Sequence, residues 1–385
     1  MTYNLLNYPG TDTSRNQYFR TVMSETKPEI LVVQEMTSQA GVDLFLNNVM
    51  NTFGVTYASG TFIDGYDTDN AVFYKTSHFT FVSNTPFHTP HRDINEFKLV
   101  HTTAGDTLRI FSVHLKASSG VTYEAARAGE ADTLRKYTDG LPAGSNFMVC
   151  GDFNFYHDAE PAYQKLLAMN PPGEGEFIDP ISMTGVWNNS AYAHYHTQSP
   201  RTRSFGGGIT GGMDDRFDLM LYSKAIGQPG GISYVAGSCT VIGNDGNHYN
   251  DSVNQQPNTA VSVDMANALH YAADHLPVYC LLEFEHAQGT GTVKVTDDSF
   301  GNIRVVPNPF QTSAKISFAL KEKAFVKLSV FTILGELVTQ LSNEELEEGN
   351  HEFTFAPRVT DPSTIYYYTF QQNDSMVRCA LVFSK

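Results

Sequence analysis

The sequence has few cysteines, no long apolar run, a shortage of positive charge and no visible leader. Its four cysteines, Cys150, Cys239, Cys280 and Cys379, show no CxxC spacing, which argues against a zinc site. Cys150 and Cys280 lie in apolar, strand-like runs and read as buried thiols, while a Cys239–Cys280 disulfide stays open for an oxidising compartment. No apolar stretch approaches the roughly 18 residues that a membrane-spanning helix needs. Lys and Arg number 25 against 41 Asp and Glu, a net charge of -16. Residues 1–299 hold 17 basic and 32 acidic side chains, and residues 300–385 hold 8 and 9. An acidic surface argues against tight, indiscriminate binding to polyanions, although a metal and a few local cations suffice to govern a nuclease cleft. Met1 stands directly against Thr2-Tyr3-Asn4-Leu5-Leu6, without a charged n-region or an apolar h-region. No signal peptide is visible, so the chain is cytosolic or its upstream residues are missing.

What is present is a soluble, globular composition, 41% hydrophobic over 385 residues. That length allows two or three domains, or one large domain with an appendage. Periodicity predicts helices over 14–26, 38–50, 122–138 and 264–272. Strands are predicted over 1–8 (ending at Asn4), 30–33, 71–74, 80–83, 108–113, 148–151, 217–222 and 278–284. Residues 170–214, rich in Pro, Gly, Asn and Ser, read as long loops. Strands mixed with helices over residues 1–285 imply a layered α/β domain. Residues 286–300 look like a linker. Residues 301–385 contain only short strand-like runs (315–320, 326–331, 352–355, 365–370), the pattern of a small β-sandwich.

The chemistry gathers around Phe147-Met148-Val149-Cys150-Gly151-Asp152-Phe153-Asn154-Phe155. An apolar strand stops at a glycine, and two polar side chains two residues apart follow, on one side of an extended chain. A carboxylate beside an amide suits a hydrated cation, a water or a phosphate oxygen; an Asx turn would use the same residues. The pattern recurs. Apolar strands end in Asn4, Glu35, His114, Asp152 and Asn154, Asp218, and Asp274-His275, and strand ends are where layered α/β proteins gather polar groups. Any one of them has an ordinary reading as a turn residue, a helix-start carboxylate or a surface histidine.

The ordered set Thr2-Tyr3-Asn4, Val32-Val33-Gln34-Glu35, Ser112-Val113-His114-Leu115-Lys116, Gly151-Asp152-Phe153-Asn154, Arg216-Phe217-Asp218-Leu219 and Ala273-Asp274-His275-Leu276-Pro277 resembles the endonuclease/exonuclease/phosphatase superfamily. The resemblance implies a four-layer α/β sandwich over 1–285, with two central mixed sheets flanked by helices. It implies metal-assisted attack of water on a phosphate ester, with Glu35 as the main ligand of Mg2+ (or Mn2+) supported by Asn4 and Asp274. His275, oriented by Asp218, would contact the phosphate or act as base, Asp152 would position or deprotonate the water, Asn154 would hold a phosphate oxygen, and His114 would donate to the phosphate or leaving group. Asp215 is the alternative to Asp218. Asp67 and Asp69 are candidate partners for His114. Arg109, Lys116, Arg127, Arg201 and Arg203 are candidate phosphate contacts, most of which fit surface roles better, and His194 and His196 could line the substrate mouth but fit a solvated loop better. Asn244-Asp245-Gly246-Asn247 and Asn250-Asp251 offer oxygens for an accessory Ca2+ but fit turns better.

The C-terminal piece is similar to a second family, the type A sorting domain of the type IX secretion system. The residues are Val305-Val306-Pro307-Asn308-Pro309-Phe310, Ile316-Ser317-Phe318, Val326-Lys327-Leu328-Ser329-Val330, Ile333-Leu334-Gly335, Gly349-Asn350-His351, Tyr366-Tyr367-Tyr368 and Lys385. Ile365-Tyr366-Tyr367 departs from the family's closing Gly-x-Tyr. The resemblance implies export across a Gram-negative outer membrane, with the secretion machinery as partner of 301–385 and a signal peptide removed or lying upstream. A generic β-sandwich or glycan-binding module is the plainer reading. The expected function is a secreted metal-dependent phosphoesterase acting on phosphodiesters, foremost extracellular nucleic acid. The alternatives are a phosphatase or sphingomyelinase-like enzyme on a small or lipid-linked phosphate, and a non-catalytic binding scaffold at the cell surface.

Overall fold

The computed structural model describes residues 1–9, 13–171, 173–204, 206–228, 231–284, 303–308, 310–332, 337–357, 364–372 and 375–383. The expected linker 286–300, with Gly10, Pro309, Ile333-Leu334-Gly335 and Lys385, lies outside the described residues. Two compact units divide the chain, Met1–His286 and Ala287–Lys385.

The first unit opens with β1 (Thr2–Tyr8), α1 (Asn16–Thr26), β2 (Ile30–Met36), α2 (Gln39–Asn48), β3 (Tyr57–Ser59) and β4 (Asp69–Lys75). It continues with β5 (Phe79–Phe87), β6 (Ile94–His101), β7 (Thr107–His114), α3 (Val121–Thr138), β8 (Phe147–Asp152), α4 (Pro161–Leu167) and β9 (Phe177–Ile178). It closes with β10 (Asp218–Ser223), β11 (Ile232–Tyr234), β12 (Thr240–Val241), α5 (Val263–Ala272), β13 (Val278–Tyr279) and β14 (Leu282–Phe284). The helix starts have local causes. Ser38 Oγ accepts from Gly41 N ahead of α2, and Ser262 Oγ from Met265 N ahead of α5, each satisfying an orphan N–H. Helix α1 stops at Lys27, which turns left-handed just before Pro28.

Two six-stranded mixed sheets form the centre, ordered β12-β13-β1-β2-β4-β3 and β5-β6-β7-β8-β10-β9. Each is antiparallel apart from one central parallel pair, β1 with β2 and β7 with β8. The period of two along β8 shows how the layers stack. Met148 and Cys150 join the core shared with the first sheet, while Phe147 and Val149 join a second core under α3 and α4. Helices α1, α2 and α5 contribute Phe19, Val22, Phe45 and Leu269 to the first core. Helix, sheet, sheet and helix are therefore the four expected layers. Among the described residues no helix is long and apolar enough to cross a membrane.

Helix α4 and the short strands β3, β9, β11 and β12 were not expected, and three other elements differ from expectation. Strand β1 does not end at Asn4; after an irregularity it resumes pairing at Tyr8 opposite Met36. Strand β6 was hidden because Asn95 and Glu96, both about 1% exposed, interrupt its apolar pattern. They are satisfied by Asn70 and by Arg109. The strand expected over 278–284 is two short pieces, β13 in the first sheet and β14 pairing with β11.

The second unit holds a three-stranded antiparallel sheet of β15 (Arg304–Val306), β16 (Ala314–Leu320) and β19 (Gly349–Phe355). A four-stranded one contains β17 (Ala324–Thr332), β18 (Leu337–Leu346), β20 (Thr364–Gln372) and β21 (Ser375–Phe383). Alternate residues Ala314, Ile316, Phe318 and Leu320 join Val326, Leu328 and Val330 in its own apolar core.

Candidate active site

The site begins at the irregularity in β1. Asn4 still pairs with Gln34 in register, but Leu6, Asn7 and Glu35 all take positive φ (50°, 47° and 61°). Left-handed backbone in a leucine and a glutamate is uncommon and concentrates where function over-determines geometry. Here it turns Glu35 across to Asn4 and Asn7. Glu35 Oε1 accepts from Asn4 Nδ2 (3.0 Å) and Oε2 from Asn7 N (2.8 Å), leaving the Glu35 side chain 15% exposed.

The second sheet lays three more residues side by side. Register places His114 on β7 opposite Asp152 on β8, and Asp152 opposite Asp218 on β10. Gly151 is obligatory in this row: its φ is +130°, and a Cβ there would meet Val113 O at 2.1 Å. Asn4 joins the two sheets, since its Nδ2 also donates to Asp152 Oδ2 (3.3 Å). Beneath it a buried polar ladder runs from Thr2 through Gln34 and Ser112 to Asn70 and Asn95, fixing the registry of the two sheets.

The last pieces come from the turn between α5 and β13. His275 Nδ1 lies 2.7 Å from Asp218 Oδ2, and its Nε2 lies 3.6 Å from Asp152 Oδ2. His114 Nε2 approaches the same Asp152 oxygen at 3.5 Å. A strap at residues 196–199 holds this arrangement. Thr197 Oγ1 accepts from Phe217 N and Asp218 N, and Leu276 N donates to Thr197 O. Gln198 Nε2 stands 2.6 Å from His275 Nε2. Gln198 is a site residue that sequence reasoning missed; it sits in a loop without periodicity, and its pairing with Asp215 and His275 leaves no local mark.

The electrostatics divide the two histidines. Burial works against a charge on His275, but the Asp218 and Asp152 carboxylates overcome it and hold its pKa well above the usual imidazole value. Burial, with the charges of Arg92, His275 and Lys116, keeps His114 well below that value and neutral. Burial also pushes Asp152 up to about 7; His275 opposes the shift, while Asp218 and Glu35 add to it.

Six of the eight candidate residues, Asn4, Glu35, His114, Asp152, Asp218 and His275, thus form one chain of contacts. Asn154 adjoins it: its N–H donates to Asp152 Oδ1 (3.1 Å) and its Nδ2 to Leu115 O (3.2 Å). Asp274 sits behind His275, with Oδ2 accepting from Ile209 N (2.6 Å). Asn4 presents its amide nitrogen to the carboxylates, its oxygen being engaged by Leu6 N (3.0 Å).

Several secondary expectations change. Asp218, not Asp215, faces His275. Asp69 accepts from Gly65 N and Asp67 pairs with Arg92, so neither serves His114, whose carboxylate neighbours are Asp152 and Glu35. Arg127 is no surface residue: it forms a fully buried pair with Glu160. Arg201 is buried at 1% exposure, and Arg109 pairs with Glu96 (2.5 Å). His196 is buried and bonded to Trp187 O, because the loop it sits on packs beneath the site. Asp245 is occupied by His248, Asn247 N and Thr259, the pattern of a turn rather than a Ca2+ loop.

Among the described residues no three His, Cys, Asp or Glu side chains stand together in ligating geometry. The residues nevertheless fit a Mg2+-type ion, which takes one or two carboxylates and keeps several waters. Glu35, Asp152, Asp218 and Asp274 gather four carboxyl groups around the two imidazoles. Asp274 Oδ1 and Asp218 Oδ1 are buried without a hydrogen-bond partner.

The model of the endonuclease/exonuclease/phosphatase family matches residues 1–238. No curated protein matches the chain. Solved structures similar to it include TDP2 of D. rerio with a single-strand DNA product (15% identity, 73% of this chain and 97% of that one, TM-score 0.48). Others are a mannosyl-6-phosphatase of Bacteroides thetaiotaomicron (17%, 74% and 98%, 0.46) and the human Nocturnin catalytic domain with bound sulfate (16%, 73% and 92%, 0.43). With the family model spanning more than half of its length, the chain belongs to the endonuclease/exonuclease/phosphatase family, whose members are hydrolases acting on phosphate esters.

Proposed function

We propose that the chain is a secreted phosphodiesterase, acting foremost on nucleic acid, that works with Mg2+ or Mn2+. The observation that carries the reading is the contact chain Glu35–Asn4–Asp152–His275–Asp218, which joins both sheets at one end. Glu35 would hold the ion with Asp274 in support, and Asn4 fixes Glu35 against Asp152. When bound, the ion would neutralise charge on the phosphoryl oxygens and the leaving group. Asp152 orients the attacking water and takes its proton. His275, charged and aimed by Asp218, donates from Nε2 to a phosphoryl oxygen; Gln198 must yield that nitrogen as substrate enters. His114, neutral, offers a ring N–H to the leaving oxygen, and the second amide hydrogen of Asn154 serves a phosphate oxygen.

The test is hydrolysis of bis(p-nitrophenyl) phosphate, p-nitrophenyl phosphate, plasmid DNA and sphingomyelin, with Mg2+ and with EDTA. Expected is EDTA-sensitive cleavage of the diester and of DNA, lowered at least about 10³-fold by Glu35→Ala with the fold retained. Cleavage of the monoester or lipid alone would establish instead the phosphatase or sphingomyelinase-like reading. The acidic surface favours that second reading, since duplex-binding faces carry a basic stripe. Inactivity of the folded protein on all four would sink both.

Residues 301–385 are proposed to be a type IX sorting address, supported by the motifs above and by their own apolar core. Deleting them is expected to leave kcat/KM within about two-fold, because the site draws only on Met1–His286. The same deletion should abolish release into the medium in a Gram-negative host with that machinery. A folded but inactive truncation, or undiminished release, would assign the tail another role.

A further inference from the structure

Cys239 and Cys280 occupy positions that a disulfide fits. Strands β12 and β13 run antiparallel, Thr240 opposite Tyr279 and Val241 opposite Val278. Continued one step past both strand ends, that register would set Cys239 opposite Cys280. The neighbouring hydrogen bonds fix the kind of position this is. Ile242 N donates to Pro277 O (2.9 Å), so the 242/277 pair is hydrogen-bonded. Such pairs alternate along an antiparallel ladder, making 240/279 hydrogen-bonded and 239/280 not. At non-hydrogen-bonded positions Cα atoms approach to about 4.5 Å and both side chains leave the same face, within the reach of a disulfide. Just beyond the strand ends the two segments stay joined, Leu281 N donating to Ser238 Oγ (3.0 Å) and Val235 N to Leu281 O (3.0 Å). Both thiols are free, half-buried and packed against the same apolar cluster.

We propose that Cys239 and Cys280 are oxidised to a disulfide by an external disulfide, clamping β12 to β13 directly behind the Asp274-His275 turn. One cysteine, as thiolate, attacks a sulfur of the reagent and releases one thiolate; the other attacks the protein sulfur of the mixed disulfide and releases the second. Two protein thiols are oxidised, one external disulfide is reduced, and the two released thiolates take up the two protons. Burial pushes the Cys280 thiol up to about 11, and burial with Cys280 nearby pushes Cys239 up to about 12. Exchange is therefore slow at neutral pH and is run at mildly alkaline pH. The bond closes a ring that contains α5, Asp274 and His275, and so restrains the unfolded chain. Among the described residues Cys150, which lines the same cavity as Cys280, is a competing thiol, but it belongs to β8 of the other sheet and shares no register with Cys280. The inference is independent of the hydrolytic reading.

The full chain would be treated with oxidised glutathione or with dithiothreitol, alkylated and mapped without reduction. Chymotrypsin is needed, because no Lys or Arg lies between Lys224 and Lys294. Expected is a crosslinked pair containing Cys239 and Cys280, two hydrogens lighter than the separate peptides. Its Tm should exceed that of the reduced chain by roughly 5–10 °C, a rise absent in Cys239→Ala and Cys280→Ala. The proposal is overturned if both cysteines stay alkylatable after oxidation, if Cys150 is bridged instead, if the bond forms without a change in Tm, or if the rise persists in the variants.

Discussion

Asp152→Asn is expected to lower kcat for phosphodiester hydrolysis by about 10³-fold, the share general-base catalysis commonly supplies, while making the fold more heat-resistant at and above neutral pH. Both effects come from one environment. Asp152 is 2% exposed, between two histidine Nε2 atoms and within the field of Glu35 and Asp218. Burial raises its pKa from 3.8 to about 7, with Asp218 and Glu35 adding to the shift. The folded chain therefore retains a proton that the unfolded chain releases, and stability falls as pH rises between those two values. Asparagine removes that penalty and keeps an acceptor for Asn154 N. Thermal melts in EDTA should show no gain below about pH 4, a gain growing to about pH 7, and a constant gain above. Wild-type turnover in the variant would take Asp152 out of the reaction; a lower Tm at pH 8 would show that its ionised form stabilises the fold.

The layered α/β class was legible because strand polarity was legible. Val32-Val33 and Phe147–Cys150 are apolar on both faces, as strands covered by layers on both sides must be, and they end abruptly in Glu35 and Asp152. Those endings were informative because a carboxylate beside such a run has no apolar surroundings to match. Gln198 lacked any such contrast. Its role depends on residues 196–199 pairing with the Asp215 segment and the His275 turn, a long-range coincidence that propensity does not encode. Strand β6 failed for the converse reason, since Asn95 and Glu96 look solvated until Asn70 and Arg109 are brought to them. Arg127 likewise reads as surface charge until Glu160 meets it at full burial. Buried polar pairs are matched in space, so a single sequence shows each half as ordinary surface.

Asp218→Asn tests the remaining half of the site. Loss of roughly 10³- to 10⁴-fold in kcat is expected, the scale seen when the orienting carboxylate behind a catalytic imidazole becomes an amide. Asp218 carries the larger of the attractions that overcome burial and keep His275 charged, with Asp152 second. Its removal lowers the pKa of His275, so the alkaline limb of the kcat/KM profile should move to lower pH. The sign for stability follows from the raised pKa. The pair contributes in full below the ordinary imidazole value of 6.5 and loses that contribution as pH rises through the folded value. The variant should accordingly lose most Tm near pH 6 and progressively less at higher pH. A Tm loss that grows with pH would mean that His275 is neutral in the native site and that Asp218 holds it through the Nδ1 hydrogen bond alone. An unmoved alkaline limb would assign that limb to a group other than His275.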